Sequence, residues 1–165
     1  MPLSAEQAHA RLGNTITHCV PIDKIIPLRH RILRQGLPLE AAKFNGDDDA
    51  MTHHVATFLA GADGQSSGEP LCCASFMWNE FEKEPAWQLR GMATAGQYRG
   101  LGLGSRLLIW FEEAIIDRGP RRLMWCNARV PAVSFYEVNG WQRVPGKGEF
   151  DIPTAGPHRQ MVKRV

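Results

Sequence analysis

The stretch at residues 97–108 reads QYRGLGLGSRLL and carries three glycines at alternate positions, Gly100, Gly102 and Gly104. Glycine loses more conformational freedom on folding than any other residue, so such a cluster is costly unless the backbone requires it. The residues that follow are apolar at helical spacing until Gly119-Pro120, which predicts a helix over 105–118. The glycines therefore predict a loop that something approaches closely, placed directly before a helix.

The segment before the loop, AWQLRGMAT at residues 86–94, predicts a strand. A strand, a glycine loop and the first turn of a helix form a general anion site, because the first N–H groups of a helix have no intrahelical acceptor. The helix macrodipole also favours negative charge there. Arg99 and Arg106 add positive charge nearby. The stretch therefore predicts a ligand that bears phosphate.

The spacing of the glycines excludes two common phosphate sites. The loop of nucleotide hydrolases requires G-x-x-x-x-G-K-[ST], and no Lys-Ser or Lys-Thr follows these glycines. A dinucleotide fold requires G-x-G-x-x-G near the first strand, whereas here Ser105 stands at the third glycine position, late in the chain. The pattern that fits is R-x-x-G-x-G, at residues 99–104.

A second segment, ARVPAVSFYEVNGW at residues 128–141, predicts a helix that begins at Pro131 and ends at Asn139-Gly140. It matches the pattern A-x-x-F-Y-x-x-x-G-[FW]. Together with the R-x-x-G-x-G loop at the expected separation, it resembles the GNAT superfamily of N-acetyltransferases. The segments at residues 28–49 and 150–165 resemble a group of uncharacterised bacterial members of that family.

The resemblance implies one GNAT domain over residues 1–165, of the α+β class. Its sheet is mixed and mostly antiparallel, with flanking helices and two central parallel strands that splay apart to admit the pantetheine arm of acetyl-coenzyme A. The loop would bind the pyrophosphate, and Tyr136 would be the catalytic acid that protonates the leaving thiolate. The residues implied to contact the cofactor are Met92, Ala93, Thr94, Arg99, Gly100, Leu101, Gly102, Leu103, Gly104, Ser105, Asn127 and Ser134.

The implied reaction is the attack of a primary amine, of a small molecule or an exposed amine, on the thioester. A lysine-like amine has a pKa of about 10.4 and must lose a proton first. Glu149, Asp151, His158 or water could accept it, and the sequence leaves this choice open. A backbone N–H near Ala93 is the implied donor to the developing oxyanion. A domain that binds acyl-coenzyme A as a sensor or structural unit, without turnover, is the alternative.

Successive helical residues lie about 100° apart, so Phe135 is predicted to turn further toward the core if Tyr136 faces the thiol. Arg29, Arg31 and Arg34 are predicted to form a solvated helix face, or else to face the acceptor and select an anionic group. The GDDD segment at residues 46–49 is predicted to be a solvated turn or a helix cap, or alternatively to bind a cationic amine. Of Cys72 and Cys73, one is predicted in the core and one outside.

The composition limits the remaining functions. The chain has 165 residues, of which 44% are hydrophobic and 22% charged, as in ordinary globular domains. A formal charge of +2 is too small to predict nucleic-acid binding, and the four cysteines have no zinc spacing. No metal is therefore expected. No apolar signal core or membrane span is present, which predicts a cytoplasmic protein without a membrane partner. Unpaired edge strands leave a homodimer open.

Overall fold

The computed structural model describes residues 4–165, and these form two compact units. One unit comprises the residues up to Ser75 together with Gly91–Phe111. The other comprises Phe76–Arg90 and Glu112–Val165. The described helices are α1 (Ala5–Leu12), α2 (Ile26–Leu33), α3 (Leu103–Asp117) and α4 (Val133–Val138). The described strands are β1 (Thr15–Cys19), β2 (Thr52–Ala60), β3 (Ser66–Phe81), β4 (Glu84–Thr94), β5 (Leu123–Arg129), β6 (Gln142–Arg143), β7 (Phe150–Ile152) and β8 (Gly156–Arg164).

The first unit is built on antiparallel strands. The strand β1 pairs with β2 from Thr15↔Leu59 to Cys19↔Val55, and the order continues through β3 to the end of β4. Leu28 of helix α2 and Ile25, which directly precedes the helix, are buried with Phe58 in one apolar cluster of this unit. Burying such side chains stabilises the unit by about 1.5–3 kcal/mol each.

The second unit contains the parallel pair of strands. Strands β4 and β5 are paired in parallel only from Trp87↔Met124 to Leu89↔Cys126, although β4 continues to Thr94. Strand β8 is antiparallel to β5 along the full length of β5, and β6 and β7 both pair with β8. The mixed, mostly antiparallel sheet predicted from the sequence is confirmed.

Several boundaries differ from the sequence-based prediction. Helix α3 begins at Leu103, so Gly104 lies inside the helix, and the helix at 131–138 begins with a 3-10 turn, Val130–Ala132. A 3-10 turn, Ile22–Lys24, precedes α2. Helix α1 and strand β7 were not predicted.

Residues 46–49 form the predicted turn, and Gly46, Asp48 and Asp49 are exposed. The predicted exposure is wrong for Arg29, for Asp47 and for one of the two cysteines at 72–73. The side chain of Arg29 is fully buried, and that of Asp47 in the GDDD segment is 3% exposed, because the two form an ion pair. Cys72 and Cys73 are both fully buried, since the residues of β3 on both faces are covered at this point. By contrast, the side chain of Arg31 is 50% exposed, as a solvated helix face predicts.

Candidate functional site

At the end of β4, pairing with β3 determines the direction in which the backbone N–H groups point. Gly91 has φ +62 inside the strand, the conformation of a glycine in a β-bulge. Ala95 N–H donates to Leu71 O of β3 at 2.9 Å. Backbone groups alternate along a strand, so Ala93 N–H also faces β3 and Thr94 N–H faces the opposite edge. The side chain of Thr94 is held by a hydrogen bond from its hydroxyl to Cys72 Sγ, at 3.2 Å.

The glycine loop follows β4 after the 3-10 turn Gly96–Tyr98. Gly100 and Gly102 have φ of +76 and +79, a region that other residues rarely adopt. A Cβ built at either position would meet no atom of the described structure within 4 Å. The glycines are therefore required by the backbone conformation rather than by packing, and the space in front of them is open.

The first turn of α3 supplies hydrogen-bond donors. Arg106 N–H donates to Gly102 O at 3.0 Å, so the preceding amides of the helix have no intrahelical acceptor. These are the amides of Leu103, Gly104 and Ser105. Arg99 and Arg106 are both exposed, beside the loop in sequence. Backbone donors, a helix N-terminus and two cationic side chains are suited to a phosphate.

In the second unit, Asn127 lies near the end of β5, opposite Gln160 of β8. Its Oδ1 atom is buried and has no hydrogen-bond partner within residues 4–165. A buried acceptor without a partner costs about 1–3 kcal/mol. A ligand that brings an N–H group would remove this cost. Because pantetheine contains two amides, this residue fits the predicted cofactor.

Tyr136 lies on α4 and is buried, whereas Ser134 on the same helix is exposed. The Tyr136 ring packs edge-on against Phe135 and Trp141, with centroids 5.2 and 5.4 Å apart. Phe135 is more exposed than Tyr136, so the expected turn of Phe135 toward the core is not observed. Instead, the ring of Trp141 packs against the ring of Tyr136 and helps to bury it.

The hydroxyl group of Tyr136 has a hydrogen-bond partner in the thiol of Cys126. Burial raises the pKa of Cys126 far above its usual range, and the hydrogen bond from Tyr136 lowers it only in part. The thiol is therefore neutral at physiological pH. The hydrogen-bond partner of the Tyr136 hydroxyl group is therefore uncharged.

The three candidate bases have different environments. Glu149 is exposed and pairs with Arg159 at 3.6 Å, and Asp151 is exposed on β7. His158 is buried, and its Nδ1 lies 2.7 Å from Gly156 O. A carbonyl oxygen can only accept, so this contact assigns the proton to Nδ1. In the neutral ring Nε2 is then the atom that can accept a proton.

A buried polar cluster around Arg29 was missed by sequence reasoning. Arg29 donates to Asp47 Oδ2 at 2.6 Å, to Ala42 O at 2.9 Å and to Ser75 Oγ. One signal was available in the sequence: Arg29 lies four residues after Ile25 and four before Leu33, on the apolar face of α2.

Two further features of the described chain bear on function. Among residues 4–165, no three His, Cys, Asp or Glu side chains converge as metal ligands would. No helix in the same part of the chain is both long and apolar enough to cross a membrane.

Comparison with known proteins yields one consistent family. The model of the Acetyltransferase (GNAT) family matches residues 28–141. The uncharacterised N-acetyltransferase YitI of Bacillus subtilis (strain 168) is 31% identical over 152 residues, which cover 88% of this chain and 93% of YitI.

Two solved structures share the fold. The structure of Escherichia coli ElaA is similar with a TM-score of 0.69 and 15% identity, covering 90% of this chain and 99% of ElaA. An aminoglycoside 6'-N-acetyltransferase complexed with coenzyme A gives a TM-score of 0.66 at 14% identity, covering 90% and 96%.

Proposed function

Since the chain belongs to the GNAT family of acetyltransferases and is therefore an acyltransferase, we propose that it moves an acetyl group from acetyl-coenzyme A to a primary amine. The amine belongs to a small molecule or is exposed on a larger one, and it attacks the thioester directly. The observation that carries this proposal is the loop at residues 99–104, with two left-handed glycines, open space before them and the start of α3 behind.

In this proposal the loop binds the pyrophosphate of acetyl-coenzyme A. The backbone amides from Arg99 to Ser105, including that of Leu101, surround the phosphate oxygens, and hydrogen bonds to such charged acceptors contribute about 1.5–3 kcal/mol each. Arg99 and Arg106 add long-range attraction that salt weakens. Lysine is not needed, because amides and the helix N-terminus supply the positive potential.

The pantetheine arm is proposed to lie along the edge of β4 that faces away from β3. The residues at 92–94 supply backbone hydrogen bonds there, and the two amides of the arm satisfy groups such as the buried Oδ1 of Asn127. Ser134, which is exposed on α4, contacts the arm near its thiol end. The coenzyme A bound to the similar aminoglycoside acetyltransferase supports this ligand.

The transfer of the acetyl group is proposed to use a hydrogen-bond donor to the oxyanion, a general acid and a general base. Because backbone groups alternate along β4, Thr94 N–H rather than Ala93 N–H is expected to face away from β3, and it is the proposed donor to the developing oxyanion. Tyr136 donates its phenolic proton to the departing thiolate. His158 is the proposed base, because the Nδ1–H···Gly156 O bond leaves Nε2 as its acceptor, whereas Glu149 is engaged with Arg159.

The proposal is tested by binding and then by turnover. Acetyl-coenzyme A should raise the melting temperature, whereas ATP and NAD should not, because the loop lacks the features that those cofactors require. A panel of amines is then assayed for free coenzyme A by chromatography, since exposed Cys19 would react with a thiol reagent. No thermal shift with any acyl-coenzyme A would refute the proposal. A shift without turnover on any amine would favour the binding-domain alternative.

A further inference from the structure

The cluster around Arg29 joins four segments of the first unit. Arg29 of α2 contacts Ala42, Asp47 and, on β3, Ser75. His54 of β2 completes the cluster, with Nε2 at 2.9 Å from Asp47 O and Nδ1 at 2.7 Å from Ser75 Oγ. Because a carbonyl oxygen only accepts, His54 carries its proton on Nε2 and accepts the Ser75 hydroxyl at Nδ1 when the ring is neutral. The hydrogen bonds thus run in one direction, from Arg29 through Ser75 and His54 to Asp47.

Stability alone does not account for this cluster. A buried ion pair can often be replaced by apolar residues of similar volume without loss of stability. Within the described residues, Arg29 Nε and Asp47 Oδ1 are also buried without a hydrogen-bond partner, which is destabilising. The geometry of the guanidinium group suggests another role.

The guanidinium group of Arg29 lies against the bulge of β4. The Phe44 ring covers it at 4.3 Å from Cζ to the centroid. A Cβ built on Gly91 would lie 2.6 Å from Arg29 Nε, closer than Cβ atoms approach in real structures, and 3.0 Å from the Phe44 ring, a tight contact. Gly91 also has φ +62, so glycine is required there for both conformation and space. The next residue is Met92, where the proposed pantetheine-binding segment begins.

We infer that Arg29 is a positioning residue, which holds the β4 bulge at Gly91 in place and thereby sets the backbone of residues 92–94 for acyl-coenzyme A. This inference rests on the proposed function of that segment. The ion pair with Asp47 and the hydrogen bond to Ser75 hold the guanidinium group in one orientation. The guanidinium group in turn packs against the bulge and holds it in place. A flexible apolar side chain would fill the same volume but would not hold one orientation.

The test compares Arg29→Met with Arg31→Met, a matched control on the exposed face of the same helix. The dissociation constant of coenzyme A is measured by calorimetry below the melting temperature of each variant. We expect Arg29→Met to bind at least about tenfold more weakly, because misplaced backbone groups at residues 92–94 would lose one or two hydrogen bonds to the ligand. The KM for acetyl-coenzyme A should rise more than kcat falls. Arg31→Met should bind normally, and a folded Arg29→Met with wild-type affinity would overturn the inference.

Ser75→Ala decides the case if Arg29→Met does not fold, and Gly91→Ala provides a second test if it does. Ser75→Ala removes one anchor of the guanidinium group and should weaken binding about threefold, and unchanged affinity counts against the inference. Gly91→Ala should weaken binding more in the wild-type background than in combination with Arg29→Met. In the wild type the new methyl group meets the held guanidinium group of Arg29, whereas the flexible methionine side chain can move away from it. Equal effects in both backgrounds would contradict the contact.

Failure of this inference is distinguishable from failure of the proposed function. If wild type binds coenzyme A and Gly102→Val does not, the proposed site stands whatever Arg29→Met does. If wild type binds no acyl-coenzyme A, the proposed function is wrong and the inference falls with it.

Discussion

Replacing Gly102 by valine should strongly weaken cofactor binding while leaving the fold largely intact. Gly102 has φ +79, where a residue with a side chain is destabilised by about 1–2 kcal/mol, and a β-branched one by more. No described atom lies within 4 Å of the new Cβ, so packing adds no further cost. The side chain would instead occupy the open space that the pyrophosphate is proposed to enter.

The expected loss of affinity follows from the contacts that are displaced. Losing one or two charge-assisted hydrogen bonds removes about 2–4 kcal/mol, which corresponds to roughly 30-fold to 1,000-fold in Kd. Acetyl-coenzyme A at 100 times the wild-type Kd should stabilise wild type by about 2.7 kcal/mol. For a chain of this size that is a rise of about 5–11 °C in melting temperature. A 100-fold weaker variant at the same concentration should gain only about 1 °C.

Gly146 provides the matched control. It is exposed, has φ +73, and its built Cβ also meets no described atom within 4 Å, so Gly146→Val introduces the same backbone strain outside the loop. Both variants should melt below wild type, but only Gly102→Val should lose the ligand-induced shift. If Gly102→Val keeps a shift as large as that of Gly146→Val, the loop is only a turn and the argument from its open space is refuted.

Three further outcomes follow from the described side chains. Tyr136→Phe should lower kcat by about 10²-fold or more with unchanged affinity for acetyl-coenzyme A, and an unchanged kcat from pH 6 to 9 would make Tyr136 a packing residue. His158→Gln should lower kcat at constant coenzyme A affinity whereas Glu149→Gln should not, and the reverse order would reassign the base. Burial raises the pKa of the thiols of Cys72, Cys73 and Cys126 to about 11 or above, so these thiols stay neutral at pH 8. Alkylation of the native protein should therefore modify only the exposed Cys19, which the intact mass of the product will show. Alkylation of more than one thiol in the native state would contradict that burial.

Local patterns were sufficient to predict much of the fold. The strand predicted at 86–94 and the helix predicted at 105–118 agree with β4 and α3 within two residues at each end. Glycine and proline determine backbone conformation at their own positions, so the loop before α3 and the turn after α4 were readable without tertiary information. The roles of the candidate site residues remain predictions.

Elements that depend on distant partners were missed. Strand β7 has three residues and exists because it pairs with β8, and nothing in its own pattern marks it. Helix α1 is different, since Ser4 and Gln7 form a capping box whose spacing is readable in the sequence. That omission was an error of interpretation.

The sequence by itself determined the glycine loop, the helix that follows it and the family pattern, because each depends on residue types at short spacing. Only the tertiary structure decided which polar residues are buried. Arg29 and Asp47 are 18 positions apart, and each read alone predicts an exposed charge. Whether a charged side chain is buried depends on the segments that cover it and on a partner of opposite charge. Burying a charge costs several kcal/mol, and this cost is offset only when the fold places such a partner beside it. The direction of the backbone at the end of β4 was likewise decided by pairing with β3, through the bond from Ala95 N–H to Leu71 O, which no local pattern encodes.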